Sequence, residues 1–462
     1  MRERPPIVTV LGHVDHGKTT LLDTIRKTGV AAREAGGITQ SIGASKITTK
    51  EGSITFIDTP GHAAFRQMRA HGARVADIAV LVVAADDGPM PQTKEALKYL
   101  IDSKTPFVVA LTKVDLPGSN IEKATSELEK EGILFEGRGG DTPKVEVSAR
   151  LGKGIEELLE MIFLLAEVNG LKGEKEGHLE AVIIEANKDK RGATVSVIVK
   201  SGILKVGQDI VAGSAVAKIR GLFDSNDKPV REVAPGDPAL LLGFSELPPV
   251  GTGIFEKAKE SIVKVIPAEK MIIKKAGEDE LGIVLKAGSL GSLDALRAAL
   301  PEKVIVLGES VGEVTESDVF FAKSIGAQIL VFQSKTPPGA SKLAETEGVH
   351  IHEFKIIYEL LKFTEEGLDK KIQKVLGSAK IMDTFPFSGK LVAGCKIIEG
   401  KITVGTKVEL LRGEMKLGDV RIKSIRKGKT EVSEVGAGVE CGILFAPQLD
   451  FQIGDVLVSA RK

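Results

Sequence analysis

Gly12-His13-Val14-Asp15-His16-Gly17-Lys18-Thr19 follows directly on an apolar run, Ile7 to Leu11. The spacing G-x-x-x-x-G-K-[ST] is that of a loop that wraps a phosphate chain. Its glycines let backbone N–H groups face phosphate oxygens, and the start of the next helix adds positive potential. Lys18 is expected to reach the outer phosphates and the Thr19 hydroxyl to bind magnesium. Downstream, Asp58-Thr59-Pro60-Gly61 closes a second apolar run. Asp58 would support the magnesium shell indirectly, and Gly61 would leave its N–H free for the outermost phosphate. Thr39, in Gly36-Gly37-Ile38-Thr39, is expected to supply a second hydroxyl to the same cation. Thr112-Lys113-Val114-Asp115 ends a further run. A carboxylate there can accept the N1 and exocyclic-amine protons of guanine. Adenine has no such donor pair, so Asp115 favours GTP and GDP over adenine nucleotides. Ser148-Ala149-Arg150 is expected to close the base pocket. Alone, the phosphate loop could belong to any of many nucleotide hydrolases and Thr112-Lys113 could be a capped strand end; in this order the motifs predict a guanine-nucleotide site.

The elements that must hold these residues are legible as periodicity. Residues 7 to about 168 alternate apolar runs with helical patterns, which predicts a mostly parallel sheet with helices on both faces. A polar, glycine-containing stretch, Asn169 to Gly177, follows. From 178 to about 262 short β-rich runs are separated by Gly, Asp and Pro, a barrel pattern. It recurs from about 377 to 462. Gly202-x-Leu204-x-Val206-Gly207-x-x-Ile210 aligns with Gly400-x-Ile402-x-Val404-Gly405-x-x-Val408, and Val233-x-x-Gly236 with Val435-x-x-Gly438. Two barrels of one design are expected. Between them, 270–354 returns to strand–helix alternation, with Gly288-Ser-Leu-Gly291 as a turn before a helix. Lys355–Leu376 carries apolar residues at helical spacing; twenty-two residues would run about 33 Å. That helix either spaces the last barrel from the rest or lies flat on its own domain. The fold class expected is multidomain α/β plus β: a P-loop domain at 1–170, a β-barrel at 176–264, an α/β/α domain at 270–354, a connecting helix at 355–376 and a second β-barrel at 377–462.

Gly12–Thr19, Gly36–Gly43, Asp58–His62 and Ala84–Gln92 resemble the translational GTPases, and within them the bacterial translation initiation factor two family. The resemblance spans the whole chain and implies the same order of domains. It implies that His62 is the catalytic histidine, which positions the attacking water once ribosomal RNA orients it. It implies that Val14 and Ile38 form an apolar gate around that histidine and that Asp15 contacts the phosphate environment. It further implies ribosome-stimulated GTP hydrolysis, placement of formylmethionyl initiator tRNA on the 30S subunit, joining of the 50S subunit, and action as a monomer. Thr112 departs from the pattern, standing where Asn is common, which removes a carboxamide that braces the base pocket. Ser41 stands where His is frequent. The resemblance implies a bacterial-type member, since archaeal and eukaryotic relatives add helices beyond the final barrel. An elongation-type factor is disfavoured by the α/β region between the barrels, and a GTP-binding scaffold by His62.

The resemblance places the formylmethionyl end of initiator tRNA in the final barrel, at Cys395, Glu440, Cys441 and Gly442. From spacing alone the two cysteines read as core residues, since Val197 and Ala239 stand at the matching positions of the first barrel; the resemblance reverses that reading. Arg421-Ile-Lys423-Ser-Ile-Arg426-Lys427-Gly428-Lys429 carries five positive charges and no negative one. Arg426, Lys427 and Lys429 could neutralise acceptor-stem phosphates; the plain alternative is a solvated strand and turn. Gly428 stands where the family often has an aromatic residue. Residues 375–462 hold 14 basic and 10 acidic side chains, a difference of +4.

Composition sets outer bounds. The 462 residues exceed one core, so two to four domains are expected. With 63 basic against 63 acidic residues a wholly basic nucleic-acid coat is excluded, though a local patch is not. Two cysteines cannot form a disulfide framework, which suits a reducing compartment. No metal-binding cysteine cluster is expected. The apolar run Ile78–Ala85 is far short of the roughly 20 residues a membrane-spanning helix needs. A soluble, cytoplasmic protein without a membrane partner is the expectation.

Overall fold

The computed structural model describes residues 2–28, 38–257, 276–277, 280–372, 375–387, 390–413, 415–428 and 430–460. Two compact bodies are present: Met1–Lys275 with Gly282–Leu361, and Ala276–Leu281 with Lys362–Lys462. The expected end of the first barrel (264) and start of the α/β/α region (270) lie outside the described residues, as do Gly36, Gly37 and Lys429.

The first body includes β1 (Ile7–Gly12), α1 (Lys18–Arg26), β2 (Gly43–Thr48), β3 (Ser53–Asp58), α2 (Arg66–Val75), β4 (Ile78–Ala84), α3 (Pro91–Ser103), β5 (Phe107–Thr112), α4 (Ile121–Lys130), β6 (Lys144–Glu146) and α5 (Ile155–Val168). The sheet order is β2-β3-β1-β4-β5-β6. Only the β2–β3 pair is antiparallel; the other pairs are parallel. β1 and β4 are buried along their whole length, because helices cover both faces and no position can be left polar for water. Gly12–Thr19, Asp58–Gly61, Thr112–Asp115 and Ser148–Arg150 fall at the carboxyl ends of β1, β3, β5 and β6, where open parallel sheets bind ligands.

The first barrel is an eight-stranded antiparallel sheet around Ile183, Val195, Val197 and Leu241. It includes β7 (Glu180–Asp189), β8 (Gly192–Ser201) and β9 (Pro238–Leu242). A four-stranded sheet follows, made of β10 (Leu281–Ala287), β11 (Val304–Val311), β12 (Gln328–Phe332) and β13 (Ile351–Phe354) in the order β11-β10-β12-β13. Its helices are α6 (Leu290–Ala299), α7 (Glu316–Ile325) and α8 (Pro338–Glu347). The Gly288–Gly291 turn does start a helix: the Ser289 hydroxyl caps α6 by accepting from the Ser292 N–H (3.1 Å).

The connecting helix is shorter than periodicity predicts. α9 runs Ile357–Ile372, 16 residues, and Val375 already belongs to β14 (Val375–Phe387). Val375 and Leu376 are apolar at a spacing that suits either a helix or a strand; pairing of Val375 with Ala460 decides for the strand.

The second body holds β14, β15 (Lys390–Thr403), β16 (Lys407–Arg412), β17 (Met415–Lys427), β18 (Glu440–Ala446) and β19 (Val456–Ala460). The order β14-β19-β16-β17-β18-β15 closes on itself because β15 also pairs with β14. Register shows the duplication directly. β8 pairs Val197 with Ala239, and β15 pairs Cys395 with Cys441. Likewise Leu204 faces Val233 and Ile402 faces Val435.

Candidate functional site

The phosphate loop is built around two glycines. A Cβ at Gly12 would stand 2.3 Å from the Val82 carbonyl oxygen, so the strand can turn into the loop only without a side chain. Gly17 has φ 87° and starts α1, a left-handed position that suits glycine. Between them the loop backbone is held from outside. The Thr112 hydroxyl donates to the His16 carbonyl (2.6 Å), and the Val14 N–H donates to Gln92 Oε1 (2.9 Å). His16 is fully buried, its Nδ1 accepting from the Ala84 N–H (3.3 Å). Burial, with nearby His13 and Lys18, lowers its pKa to about 4. It is therefore a neutral structural imidazole.

Lys18 is buried, and its ammonium donates to the His13 carbonyl. Burial lowers its pKa to about 8, against the opposing pull of Asp58. A Cβ on Gly61 would meet Lys18 Nζ at 2.5 Å and the Val14 nitrogen at 3.3 Å, so the space in front of Lys18 exists because residue 61 is glycine. The Thr19 and Thr39 hydroxyl oxygens lie 2.8 Å apart. Asp58 is buried, with the Arg26 guanidinium 3.7 Å away. Hydroxyl and carboxylate oxygens are the kind of hard donor that magnesium takes. Thr59 ties its hydroxyl to the Val10 carbonyl (2.8 Å), fixing the turn at the end of β3. A cavity of about 90 Å³ is lined by Val14, Asp15, Gly17, Lys18, Thr19, Ile38, Thr39, Gly61, His62 and also Tyr358.

His62 is half-buried, and its Nδ1 accepts the Ala64 N–H (2.9 Å). Burial, then the Arg69 charge, lowers its pKa; with Nδ1 accepting, a neutral ring carries its proton on Nε2. Arg69 is fully buried. It donates to the Pro60 carbonyl (3.2 Å), to the His62 carbonyl and to Glu95 (3.0 Å). The His62 ring meets Tyr358 edge to face, centroids 4.2 Å apart.

At the base end, a Ser148 side-chain hydrogen bond holds the Asp115 carboxyl below the usual carboxylate range. Arg150 adds a smaller pull in the same direction. Lys113 has φ 57° and sets its ammonium 3.6 Å from Asp86 and 3.8 Å from Asp87. The Ala149 carbonyl accepts from Thr24 (3.1 Å) and the Val114 carbonyl from Ser119 (3.2 Å). The structure thus brings Gly12–Thr19, Thr39, Asp58–His62, Thr112–Asp115 and Ser148–Arg150 to one edge of one sheet. Motif reading missed Gln40, Arg69, Gln92 and Tyr358 as neighbours of the site. Gln40 and Gln92 stand inside stretches that carried the resemblance; no spacing pointed to Arg69 or Tyr358.

The second barrel contains a cavity of about 650 Å³, lined among others by Met382, Phe385, Cys395, Arg426, Gly428, Glu440, Cys441 and Gly442. Cys395 and Cys441 belong to the barrel core and also form the inner wall of this cavity. Both thiols are neutral: burial pushes Cys395 up, and Cys441 up to about 11. Arg426 lines the cavity, and Lys427, next in β17, is exposed.

Comparison with known proteins identifies the family. Residues 3–167 match the elongation factor Tu GTP binding domain, 178–257 elongation factor G domain 2, and 256–365 translation-initiation factor 2. Translation initiation factor IF-2 of Thermotoga sp. (strain RQ2) is 44% identical over 98% of this chain and 71% of its own length. The chain belongs to the translation initiation factor IF-2 family. The Aquifex aeolicus (strain VF5) IF-2 is 42% identical over 98% of this chain and 61% of its own. A solved structure, GDP-bound aIF5B from Aeropyrum pernix, is 30% identical and covers 99% of this chain and 92% of that one, with a TM-score of 0.47.

Membership makes the chain a guanine-nucleotide-binding GTPase with P-loop and β-barrel domains. It also gives the departure at residue 112 a physical reading. Where Asn is common in the motif, the Thr112 hydroxyl ties β5 to the phosphate loop through the His16 carbonyl. Among the described residues no helix is long and apolar enough to cross a membrane.

Proposed function

We propose that this chain delivers formylmethionyl initiator tRNA to the 30S subunit, promotes 50S joining, and hydrolyses GTP when the ribosome stimulates it. The observation that carries the tRNA part is the cavity of the second barrel. Its volume, about 650 Å³, lies within the range of small-ligand sites. Its wall of Met382, Phe385 and two neutral thiols suits an apolar thioether side chain, and Glu440 and Arg426 supply polar ends. Arg426 and Lys427 offer cationic contacts for the acceptor stem.

In the nucleotide site the proposed roles follow from position. Gly12–Thr19 cradle the phosphates, with Lys18 on the outer ones. Asp115, oriented by Ser148, reads the guanine edge, and Ala149 and Arg150 complete the pocket. Thr19 and Thr39, with Asp58 indirectly, would hold magnesium, which when bound neutralises phosphate charge. Val14 and Ile38 shield His62 from bulk water. Because His62 Nδ1 is occupied by the Ala64 N–H, its Nε2–H donates. It can hold a water by that hydrogen bond but cannot take a proton from it. Positioning of this kind suits phosphoryl transfer, which needs orientation and charge neutralisation more than covalent chemistry. Arg69 fixes the carbonyls on either side of Gly61 and so aims that residue's N–H.

The deciding experiment measures GTP turnover alone, with 30S, and with 30S and 50S, using formylated or unformylated initiator tRNA. Turnover that rises only with both subunits, and binding that favours the formylated tRNA, support the proposal. Turnover indifferent to ribosomes, or equal affinity for both tRNAs, defeats it.

A further inference from the structure

The start of α9 meets the nucleotide site at two points. The Gln40 carboxamide makes a two-way clasp: its Nε2 donates to the Lys355 carbonyl (3.0 Å), and its Oε1 accepts the Ile357 N–H (3.1 Å). Gln40 is buried and directly follows Thr39, whose hydroxyl touches that of Thr19. One residue beyond the clasp, Tyr358 sets its ring against His62 at 4.2 Å and 77° and forms a wall of the cavity that holds Lys18, Thr19, Thr39 and Gly61. The His62 ring is therefore held from two sides, by the Ala64 N–H at Nδ1 and by the Tyr358 ring packed edge to face.

We infer that Tyr358 is a positioning residue for His62, and that Gln40 ties its placement to the Thr39 segment. This rests on the proposed role of His62. An imidazole held only at Nδ1 still swings about its side-chain torsions; a ring packed edge to face removes that freedom. The clasp makes the packing conditional. Tyr358 is delivered to His62 by a helix start that the Gln40 carboxamide grips on both sides of Ile356, at the Lys355 carbonyl and the Ile357 N–H. When Thr39 takes its place beside Thr19, the tyrosine follows. The phenol hydroxyl has no part in this, so phenylalanine should serve as well as tyrosine.

The test is single-turnover GTP hydrolysis with saturating ribosomal subunits, over a range of GTP concentrations. Edge-to-face aromatic contacts contribute enough that Tyr358→Ala should slow the step about three- to tenfold. The GTP concentration dependence should stay unchanged, and Tyr358→Phe should match the parent. Gln40→Ala should slow hydrolysis in the same way, and combining it with Tyr358→Ala should add little. In a His62→Ala background, Tyr358→Ala should have no further effect. If Tyr358→Ala equals the parent while His62→Ala collapses turnover, the inference is overturned and the role of His62 stands. If His62→Ala itself equals the parent, the underlying reading fails instead. A Tyr358→Ala effect confined to GTP affinity, or one that phenylalanine does not rescue, also overturns the inference.

Discussion

Thr112→Val tests whether a hydroxyl replaces the asparagine common at this point of the motif. Valine keeps the shape of threonine, and residue 112 is 2% exposed, so packing is unchanged. What goes is the donor to the His16 carbonyl at 2.6 Å; the Val83 carbonyl at 3.4 Å is a distant second acceptor. His16 is itself fully buried, so water cannot take over without opening the loop. Leaving a buried acceptor unsatisfied costs about 1–3 kcal/mol. The loop must hold this conformation to wrap the phosphates, so the penalty falls on binding. A coupling of that size corresponds to roughly 5- to 150-fold in affinity. Titration calorimetry with GDP and GTP should show Thr112→Val weaker for both nucleotides by that factor. Thr112→Asn, which restores a donor, should recover most of the loss. Affinity within twofold of the parent for Thr112→Val would refute the bracing role, and the hydroxyl would then be incidental to the site.

Further outcomes follow from other contacts. Asp115→Asn should lose GTP affinity by about 100-fold or more, since a charged acceptor pair is worth roughly 1.5–3 kcal/mol per hydrogen bond, and should gain xanthosine triphosphate, whose 2-carbonyl can accept from the new amide; unchanged guanine preference in competition binding would contradict the base pocket. Cys441→Asp should cut initiator-tRNA binding at least about tenfold, because a carboxylate buried beside Cys395 carries a penalty of several kcal/mol, while GTP hydrolysis without ribosomes stays level; a filter-binding curve matching the parent would count against the cavity. Glu185 is buried, with its carboxylate accepting from the Gly291 N–H (3.1 Å), the Ala186 N–H (3.0 Å) and the Ser289 hydroxyl (2.9 Å). Burial, the largest influence, raises its pKa above the ordinary 4.5. An acid raised in the folded state binds protons better there, so its contribution is full below pH 4.5 and fades as pH rises through the folded value. Melting midpoints of Glu185→Gln relative to the parent should therefore climb from pH 4.5 upward; a flat difference across that range would show that the three donors, not burial, govern the group.

Much of the nucleotide site was legible because its chemistry is local in sequence. A phosphate loop needs Gly12, Gly17, Lys18 and Thr19 at set spacing, and the strand before it must be buried on both faces, so pattern and period agree. What escaped reading are contacts made at long sequence separation. Arg69 reaches back to the Pro60 and His62 carbonyls from inside α2, where an arginine on a helix reads as a solvated charge. Tyr358 touches His62 across nearly the whole first body. Its helical period showed that a helix starts there but not what that start faces. The same limit shortened α9: Val375 and Leu376 satisfy a helical stripe, and only pairing with Ala460 reveals a strand.

The cysteines show why core and site readings need not compete. Alignment of the two barrels placed Cys395 opposite the role of Val197 and Cys441 opposite that of Ala239, which argues for packing. The register agrees, since each pair is directly opposed across equivalent strands. Yet the second pair also walls a cavity of about 650 Å³. The other lining residues Val392, Gly394, Arg426, Gly442 and Leu444 alternate along β15, β17 and β18 with the core residues Ala393, Ile425 and Ile443, so the cavity lies against the outward face of these strands and reaches the two core thiols from that side. A thiol suits such a position better than a charge or a large aliphatic group: it is small, polarisable and, kept neutral by burial, compatible with both neighbours. Sequence spacing could find the inward position. Only the closure of β15 on β14 and β18 shows that this inward position is also a surface.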